Sequence, residues 1–559
     1  MTDKSNPLFL GLDLSTQQLK GIVVNEELEP VFHAKVEFDV DFPSYKTKYG
    51  VYTNNEEREV QAPVAMWLEA LDLLLKRIVD SKKVDLGRLR GISGACQQHG
   101  SVYLNSSAKG LLNNLDSSKS LKDQLESTLS WNLSPNWQDH STEDECQQFE
   151  AAVGGKEQMA ELTGSKAHHR FTGPQILKLR HKHKELYDNS ATILLVSNYL
   201  ASVIAGKLVP LDIGDVCGMN LWDITHKQWD DKLLGLVDEP DVIKGKLGTV
   251  ALDGSASLSK VSSYFTDKYG VSPHCDVIPF TGDNPGTILS LPLQPNDVIV
   301  SLGTSTTALV VTEKYVTSSM YHMFQHPLTD AYMGMLCYCN GALAREQVRN
   351  AINVKYNVED KNSWDKFSEL ALNAPITGKN LTTTEIGFYF PLSEIIPDKH
   401  STLKRLVWTK GSDHPQEVQL SEESPLASGW TVTDDALRIL ESQALSIRYR
   451  LGPMLTTKSG HPSKIYFVGG SSRNQSICQA MSRVLVPENG SFTLDLSDAC
   501  AKGAANKAAF GVLNGGLGWD QFIQSKWLST NESEVPGTKG VCDDYEEVVK
   551  LFVKSEDYI

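Results

Sequence analysis

The sequence has no long apolar run and no paired cysteine motif. Its longest apolar stretch, residues 193–206, is interrupted by Ser197 and Asn198, so it is too short to span a bilayer and predicts a buried helix. The apolar segment near the amino terminus stops at Asp13, which does not fit a secretory signal. The nine cysteines are scattered without a CxxC pair and indicate reduced thiols. We therefore expect a soluble, cytoplasmic protein with no membrane partner.

An excess of positive charge is also lacking. The 559 residues include 53 basic and 69 acidic side chains, giving a formal net charge of −16. Such a chain has no broad attraction for phosphate backbones, so we expect no nucleic-acid partner, whereas a small anionic ligand remains compatible. Hydrophobic residues make up 40% and charged residues 22%, which excludes disorder of the whole chain.

Three common fingerprints of nucleotide and metal sites are missing. No GxxxxGK[ST] loop, no GxGxxG turn after a strand and no HExxH helix occurs. His181 and His183 lie in a polar helical run, which favours a solvated surface over a metal site. Any phosphate-binding chemistry must therefore use other turns.

Two similar strand-turn-strand segments lie about half the chain apart. One begins with Leu8-Phe-Leu-Gly-Leu-Asp-Leu-Ser-Thr16 and the other with Val298-Ile-Val-Ser-Leu-Gly-Thr-Ser-Thr306, and an apolar run follows each. This separation indicates two structurally similar halves, because the period of a solenoid is far shorter. Two unrelated hairpins are the alternative.

Two prolines within residues 291–296 interrupt regular structure before the second hairpin. We predict a domain boundary there, with one domain over residues 1–292 and another over 293–559. Mixed helical and strand patterns predict an α/β protein with a ligand cleft between its halves. Residues 105–130 are rich in Ser, Asn, Lys and Asp and predict an exposed insertion.

Four turns carry residues suited to a nucleotide or a sugar. In the first, Asp13 ends a strand, and hydroxyls and Lys20 follow it. Backbone amides of such a turn bind phosphate, while the carboxylate holds hydrated Mg²⁺. The second turn, residues 301–306, offers the same amides and hydroxyls without the carboxylate. An ordinary hairpin turn is the alternative for each.

The other two turns are rich in glycine. In Phe467-Val-Gly-Gly-Ser-Ser-Arg-Asn474 the missing side chains would let a nucleotide approach the backbone, while a purely structural glycine pair is the alternative. The turn Pro279-Phe-Thr-Gly-Asp-Asn-Pro-Gly286 holds Asp283, and a helix-capping aspartate is the alternative there.

In this order the four turns resemble the FGGY carbohydrate kinases of the actin-like ATPase superfamily, and the resemblance covers about residues 8–515. Three more segments narrow it to the D-xylulose kinases of the long eukaryotic type: Ser93-Gly-Ala-Cys-Gln-Gln-His-Gly-Ser-Val102, Pro135-Asn-Trp-Gln-Asp-His-Ser-Thr142 and Leu162-Thr-Gly-Ser-Lys-Ala-His-His-Arg-Phe-Thr-Gly-Pro-Gln175. Glycerol kinases carry an Arg-Glu pair where this chain has Gln97 to Gly100, which argues against glycerol.

The resemblance implies two actin-like, ribonuclease H-like domains, with sugar bound by residues 1–292 and ATP by residues 293–559. The implied reaction is the ATP-dependent phosphorylation of D-xylulose to D-xylulose 5-phosphate, which feeds the pentose phosphate pathway, with Mg²⁺ as cofactor. A kinase for another ketose or polyol, such as ribulose or glycerol, is one alternative. A non-sugar actin-like ATPase is the other.

The resemblance also implies roles for individual residues. The implied sugar contacts are His99, Arg170, Asp283 and Asn284. The implied phosphate contacts are Asp13, Thr16, Lys20, Gly303 and Thr304, with Asp13 also serving Mg²⁺. The implied adenosine contacts are Trp364, Gly469, Gly470 and Asn474. We expect His99 and Arg170 to donate hydrogen bonds to sugar oxygens, and Asp283 to be the catalytic base.

Taken singly, several of these residues have simpler interpretations. His99 fits a satisfied loop histidine and Arg170 a surface cation, while Trp137 and Trp364 fit core aromatics. Asp139 fits a sugar ligand and a cap for the helix that follows equally well. Only the joint occurrence of the motifs favours the functional interpretation.

Overall fold

The computed structural model describes residues 6–377, 382–420, 430–495, 498–528 and 532–559. The chain forms two compact units. The first contains Met1–Leu293, Thr317–Tyr332 and Asp498–Trp527, and the second contains Gln294–Val316, Met333–Ser497 and Leu528–Ile559. The first long segment thus ends one residue past the predicted boundary, but two later segments also pack with it. No helix of the described residues is long and apolar enough to cross a membrane.

The first unit is built on one mixed sheet. Strand Leu8–Leu14 lies at its centre, antiparallel to Gln18–Val24 and parallel to Leu89–Cys96. Pro30–Glu37 extends the antiparallel side and Asp276–Val277 the parallel side. The central strand is buried along its whole length and is apolar apart from Asp13, because helices cover both faces of the sheet.

The helix Ala499–Leu513 covers one face, and small residues let it approach closely. A side chain at Gly11 would place its Cβ 1.9 Å from the Ala501 carbonyl oxygen, and one at Gly91 would lie 2.8 Å from that of Ala508. The helix Val64–Ser81 packs its apolar residues on the antiparallel strands. A single boundary at 292/293 therefore does not capture the sequence-distant helix of this unit.

The first unit has the following elements. Its other strands are Tyr52–Asn54, Glu59–Pro63, Ser101–Leu104, Leu129–Trp131, Leu133–Pro135, Thr192–Leu195, Leu211–Asp212, Trp222–Asp223, Gln228–Trp229, Val250–Ala251, Ser259–Lys260, Thr281–Gly282 and His322–Gln325. Its other α-helices are Phe38–Asp41, Ala108–Leu112, Leu121–Leu125, Glu143–Val153, Lys156–Thr163, Thr172–Lys182, Lys184–Asn189, Val196–Ala205, Asp231–Val237, Pro240–Leu247, Ser263–Tyr269, Asp283–Ile288 and Trp519–Lys526. Short 3₁₀ turns are Pro43–Tyr45, Leu86–Arg88, Glu126–Thr128 and Val216–Met219.

Two local predictions have different outcomes in this unit. The apolar stretch over 193–206 contains the helix Val196–Ala205, which is buried throughout as predicted. The prediction of an exposed insertion over 105–130 is wrong in part. This segment includes two short helices whose Leu112 and Leu121 enter the core, because burying these apolar side chains is favourable despite the polar residues around them.

The second unit repeats the strand order of the first. Strand Val298–Leu302 lies between Thr306–Thr312, antiparallel to it, and Ile465–Val468, parallel to it. Tyr332–Tyr338 adds to one side and Ser491–Thr493 to the other. An antiparallel three-strand meander continued by parallel strands is the ribonuclease H-like arrangement. The predicted α/β fold class with two such domains is confirmed.

The other strands of the second unit are Thr383–Phe390, Thr402–Thr409, Gln416–Glu417 and Ser533–Glu534. Its α-helices are Ala342–Lys355, Asp365–Asn373, Asp435–Leu451, Gln475–Leu485 and Glu546–Ser555. Short 3₁₀ turns are Gly452–Met454, Gly470–Arg473 and Glu556–Tyr558.

Candidate active site

The first predicted turn places Asp13 and Lys20 opposite each other on paired strands of the first unit. Asp13 is only 6% exposed, and its Oδ1 atom is buried without a hydrogen-bond partner. Burial raises the pKa of Asp13 to about 6, although the Lys20 charge opposes the shift. The Lys20 ammonium lies 3.1 Å from Asp498 Oδ1. Asp13 is thus a buried carboxylate with one unused acceptor.

The indole of Trp137 lies beside the same turn. Its Nε1 atom donates to Thr16 Oγ1 at 2.9 Å, and the side chain is 46% exposed. The interpretation of Trp137 as a core aromatic is therefore wrong, because nearly half of the side chain is exposed and it contacts Thr16, a predicted phosphate contact.

Asp139, two residues later, is buried and fully engaged by the protein. One carboxylate oxygen accepts from the Val60 amide at 3.0 Å, and the other accepts from the Gln175 side chain at 2.8 Å. The helix that follows begins at Glu143, and Thr142 is its N-cap. Asp139 therefore ties a strand to a helix and does not cap that helix.

Asp283 lies where the strand Thr281–Gly282 leads into the helix Asp283–Ile288. The N-cap of that helix is Gly282, so the interpretation of Asp283 as the cap is wrong. Its Oδ1 atom accepts from the backbone amide of Asn284 at 2.8 Å and from the side-chain amide at 3.0 Å. Burial, followed by the charge of Asp13, raises the pKa of Asp283 to about 7. The two carboxyls therefore act on each other.

A chain of amides continues from Asn284. Its side chain donates to Gln98 Oε1 at 3.1 Å, and Gln98 Nε2 contacts Asp215 Oδ1 at 3.4 Å. Asp215 is buried, and desolvation raises its pKa to about 7. Three carboxyls with elevated pKa values, at Asp13, Asp215 and Asp283, are thus associated in the first unit. Such perturbed groups are typical of functional sites.

His99 follows Gln98 and is held in one orientation. Its Nδ1 atom lies 3.0 Å from the Gly218 carbonyl oxygen, and its ring stacks on Phe171 with centroids 4.2 Å apart. Burial lowers the pKa of His99 well below its usual range, so the ring is neutral. Because a carbonyl only accepts, Nδ1 carries the proton and Nε2 is an acceptor. The expectation that His99 donates a hydrogen bond to the sugar is therefore wrong, because Nε2 in this tautomer carries no proton to donate.

Arg170 is anchored by a histidine from a distant part of the chain. Its Nη2 atom lies 3.1 Å from His322 Nε2, and its guanidinium carbon is 5.6 Å from the Phe171 ring centroid. His322 Nδ1 in turn lies 2.9 Å from Ser165 Oγ. Arginine only donates, so His322 accepts at Nε2 and donates at Nδ1. The interpretation of Arg170 as a surface cation is wrong, since its side chain is half-buried and contacts both His322 and the Phe171 ring, on which His99 also stacks.

The glycine turn of the second unit borders a cavity of about 620 Å³. Gly469 adopts φ +87°, which favours glycine, and Gly470 opens a short 3₁₀ turn with nothing near its missing Cβ. Ser301 and Arg473 are among the other residues lining the cavity. The structure thus brings the second predicted phosphate turn and the glycine turn to one cavity.

Asn474 and Trp364 lie beside this turn. Asn474 is the N-cap of the helix Gln475–Leu485, since its Oδ1 atom accepts from the Ser476 amide at 3.0 Å. Its Nδ2 atom donates to Ser368 Oγ at 2.9 Å, which ties it to the helix that starts after Trp364. The Arg349 guanidinium covers the Trp364 ring at 4.8 Å. Trp364 is partly buried, neither a core residue nor an open surface.

Gly303 and Thr304 contribute carbonyls to a second helix. The Gly303 carbonyl accepts from the Ala342 amide at 2.9 Å, and the Thr304 carbonyl accepts from the Gly341 amide at 3.1 Å. The start of the helix Ala342–Lys355 therefore fixes the shape of this turn.

Models of the FGGY family match most of the chain. The N-terminal domain of this family of carbohydrate kinases matches residues 133–290, and its C-terminal domain matches residues 298–511. The chain belongs to the FGGY family of carbohydrate kinases. The family resemblance noted in the sequence is confirmed.

Relatives of this FGGY family member align over nearly its full length. A protein of Schizosaccharomyces pombe named xylulose kinase is 48% identical over 560 positions, covering 98% of both chains. A protein of Aspergillus fumigatus named probable D-xylulose kinase A is 46% identical over 570 positions, covering 99% of this chain and 98% of its own. Among solved structures, xylulose kinase from Rhodospirillum rubrum superposes with a TM-score of 0.76 at 16% identity, covering 99% of each chain. The last comparison supports the fold.

Sequence reasoning missed Asp215 and His322. Asp215 follows a glycine in Ile213-Gly-Asp-Val, a pattern like that around Asp283, so a weak local signal existed. His322 has no local signal, because only the fold brings it to Arg170 across about 150 residues. Among the described residues, no group of three or more His, Cys, Asp or Glu side chains could hold a metal ion by itself.

Proposed function

We propose that this FGGY family member transfers the terminal phosphoryl group of ATP to D-xylulose, giving D-xylulose 5-phosphate and ADP. The observation that carries the proposal is the Asp283 carboxyl, with a pKa raised to about 7 and joined through Asn284 to Gln98. Gln98 adjoins His99, which shares the Phe171 ring with Arg170. Full-length relatives named xylulose kinase support the choice of sugar.

Asp283 is the proposed proton acceptor. Its Oδ1 atom accepts from Asn284, so Oδ2 is the oxygen available to the attacking hydroxyl of the sugar. Phosphoryl transfer has a loose transition state, in which the hydroxyl proton leaves late and positioning matters most. A carboxylate with a pKa near neutrality accepts such a proton and later releases it easily.

Sugar recognition is proposed for the cluster around Phe171. Arg170 offers guanidinium donors, and His99 offers Nε2 as an acceptor for a sugar hydroxyl. The fixed stacking of both side chains on one ring orients them before the sugar arrives. Asn284, next to Asp283, adds a side-chain amide to the proposed sugar contacts.

Asp13 fits a magnesium site. Its buried Oδ1 atom has no hydrogen-bond partner, so a cation or its water would satisfy it. Mg²⁺ keeps several waters and binds through one or two carboxylates plus substrate phosphates, which suits a site with one carboxylate. Bound there, Mg²⁺ would neutralise charge on the phosphates.

The nucleotide is proposed to bind in the second unit. Gly469 and Gly470 border the cavity of about 620 Å³ and present backbone without side chains. Trp364 and Asn474 lie next to this turn, and Gly303 and Thr304 form the turn proposed for phosphates. Residues 1–292 and 293–559 are proposed as the sugar and ATP domains. We also propose a cytoplasmic location, since the nine cysteines are scattered along the sequence without a CxxC pair, as is typical of a reducing compartment.

An ADP-release assay over a panel of sugars tests the function. We expect the highest kcat/KM with D-xylulose, and lower values with D-ribulose, L-ribulose and glycerol. Asp283→Asn is the control that should lose turnover with every sugar. A higher kcat/KM on another sugar would replace the substrate, whereas ATP hydrolysis indifferent to sugar would contradict a sugar kinase.

A further inference from the structure

The side chain of Arg345 is the most buried positive charge near the glycine turn. It lies on the helix Ala342–Lys355 and is 0% exposed. Burial lowers its pKa to about 10, so it stays protonated at neutral pH. No role in the chemistry described above uses this cation.

The guanidinium of Arg345 makes hydrogen bonds only with neutral groups. Its Nη1 atom donates to Gln443 Oε1 at 2.7 Å and its Nη2 atom to Ser471 Oγ at 3.2 Å, while Nε is buried without a partner. No carboxylate of the described residues forms an ion pair with it. By contrast, Arg438 contacts Glu441 at 2.7 Å and Arg450 contacts Glu556 at 2.9 Å.

A buried charge without a counter-charge is costly, so its retention needs an explanation. The charge of the Glu346 carboxylate raises the pKa of Arg345, but Glu346 is exposed to solvent whereas the guanidinium is buried, and the two form no ion pair. The described residues therefore provide no ion-pair partner for Arg345. An anionic ligand would supply the missing negative charge.

The position of Arg345 identifies that ligand. Its Nη2 atom holds Ser471, which lies between two residues that line the cavity, Gly470 and Ser472. Gln443 extends the contact, because its side-chain amide donates to the Gly341 carbonyl at 3.1 Å. A side chain at Gly341 would meet the Thr304 carbonyl oxygen at 2.8 Å. Arg345 is thus connected to both turns proposed for the nucleotide.

We propose that Arg345 is a positioning residue of the nucleotide site, and that the phosphates of a nucleoside di- or triphosphate are the counter-charge for its buried guanidinium. The inference rests on the proposed nucleotide site. Ser471 receives the charge-assisted bond at its oxygen, which leaves its hydroxyl proton for an acceptor on the ligand. Arg345 itself stays behind the turn and acts through Ser471 and through its field.

Three variants of Arg345 distinguish the effect of its positive charge from the effect of its side-chain shape. Arg345→Met and Arg345→Gln remove the charge, and Arg345→Gln retains an amide that can reach one of the two partners if the methionine variant folds poorly. Arg345→Lys keeps the charge. Lys355→Met is the matched control, because it removes an exposed cation from the same helix.

Calorimetric titrations with ADP, adenosine and D-xylulose give the readout. We expect the two neutral variants to weaken ADP binding on the order of tenfold to a hundredfold, the usual effect of losing an interaction with a charged group. Adenosine and D-xylulose should bind as to the unchanged protein, and Arg345→Lys should retain most of the preference for ADP over adenosine. Lys355→Met should change none of these affinities.

Two results would overturn the proposal. Equal losses for adenosine and ADP would mean that Arg345 only shapes the turn, and unchanged ADP binding would mean that it has no role there. Gly470→Val distinguishes failure of the Arg345 proposal from failure of the proposed nucleotide site. If Gly470→Val weakens ADP binding while Arg345→Met does not, the nucleotide site is correct and only the role of Arg345 is wrong. If Gly470→Val leaves ADP binding unchanged, both the proposed nucleotide site and the role of Arg345 are wrong.

Discussion

The Asp283 carboxyl combines a fixed oxygen with a free one. Oδ1 accepts from Asn284, and burial raises the pKa of the group to about 7. Replacement by asparagine preserves the shape and removes the proton acceptor. We expect Asp283→Asn to bind D-xylulose and ATP within about tenfold of the unchanged protein and to lose roughly 10²–10⁴ in kcat. Steady-state kinetics with calorimetry measure both, and a variant with more than a tenth of the kcat would exclude Asp283 as the base.

The pH dependence gives an independent check on the same residue. The base must be deprotonated, so kcat/KM of the unchanged enzyme should rise as pH increases through about 7 and level off above it. In Asp283→Asn the residual activity should lack that rise. An identical rise in both proteins would assign it to another group, such as Asp215.

Arg170 offers a second prediction about a single side chain. Removing it leaves His322 Nε2 without its donor and removes the charged hydrogen bond that we propose Arg170 makes to the sugar. We expect Arg170→Ala to weaken D-xylulose binding on the order of tenfold to a hundredfold, with ADP binding unchanged. Lys182→Ala, which removes an exposed cation from the following helix, is the control. Calorimetry showing full sugar affinity in Arg170→Ala would contradict the sugar contact.

The sequence proposes candidate site residues where a short segment carries a recognisable pattern, and it gives no signal for residues that only long-range contacts bring to the site. Asp13, Asp283 and Gly469 each lie on a strand-to-turn pattern that a short segment reveals. The roles of Asp215 and His322 depend on partners far away in the sequence. The hydrogen-bonding role of His99 was mistaken because the tautomer is set by Gly218, which no pattern around His99 indicates.

At the scale of structural elements, the strand Ile465–Val468 and the turn after it offer a matched pair of glycines. Gly469 has φ +87°, and a side chain there would meet Leu302 backbone atoms at 3.2 Å, while Gly470 faces open space. Gly469→Ala should therefore lower the free energy of unfolding by about 1 kcal/mol or more. Gly470→Val should fold normally and raise KM for ATP far more than KM for D-xylulose, because the added side chain enters the cavity that we propose for the nucleotide.

Denaturant unfolding and steady-state kinetics of these two variants provide the measurements. A normal KM for ATP in Gly470→Val would remove this turn from the nucleotide site, and a higher KM for D-xylulose alone would reassign it to the sugar. The strand order that creates the turn was expected from the repeated hairpins. The helix Ala499–Leu513 could not be assigned to the first unit from its sequence, since small residues such as alanine suit many helix contacts.

At the scale of the whole molecule, buried acids and buried histidines have opposite effects on stability. Asp13, Asp215 and Asp283 have raised pKa values, so the folded protein binds more protons at these sites below pH 7, and acidification stabilises it. The histidines with strongly lowered pKa values are His99, His168, His322 and His326. For these the unfolded chain binds more protons below about pH 6.5, and acidification destabilises the fold.

The two sets should largely cancel between pH 7 and pH 5.5 in the ligand-free protein. Replacing both Asp13 and Asp283 by asparagine removes part of the compensation. We expect the free energy of unfolding of that double variant to fall on acidification by up to about 1.4 kcal/mol per pH unit for each lost group, relative to the unchanged protein. Urea unfolding over this range, in a chelating buffer, measures the difference. Parallel curves for the two proteins would contradict the raised pKa values.

The close contact of Gly11 with Ala501 also constrains the order of events during protein synthesis. A ribosome makes the central strand of the first unit among the first residues, but it makes the helix that covers this strand only after the whole second-unit segment before Asp498. One face of the sheet, with its apolar side chains, therefore has no native cover while most of the chain is translated. Nascent chains of this protein should depend on chaperones until the last tenth of the chain emerges.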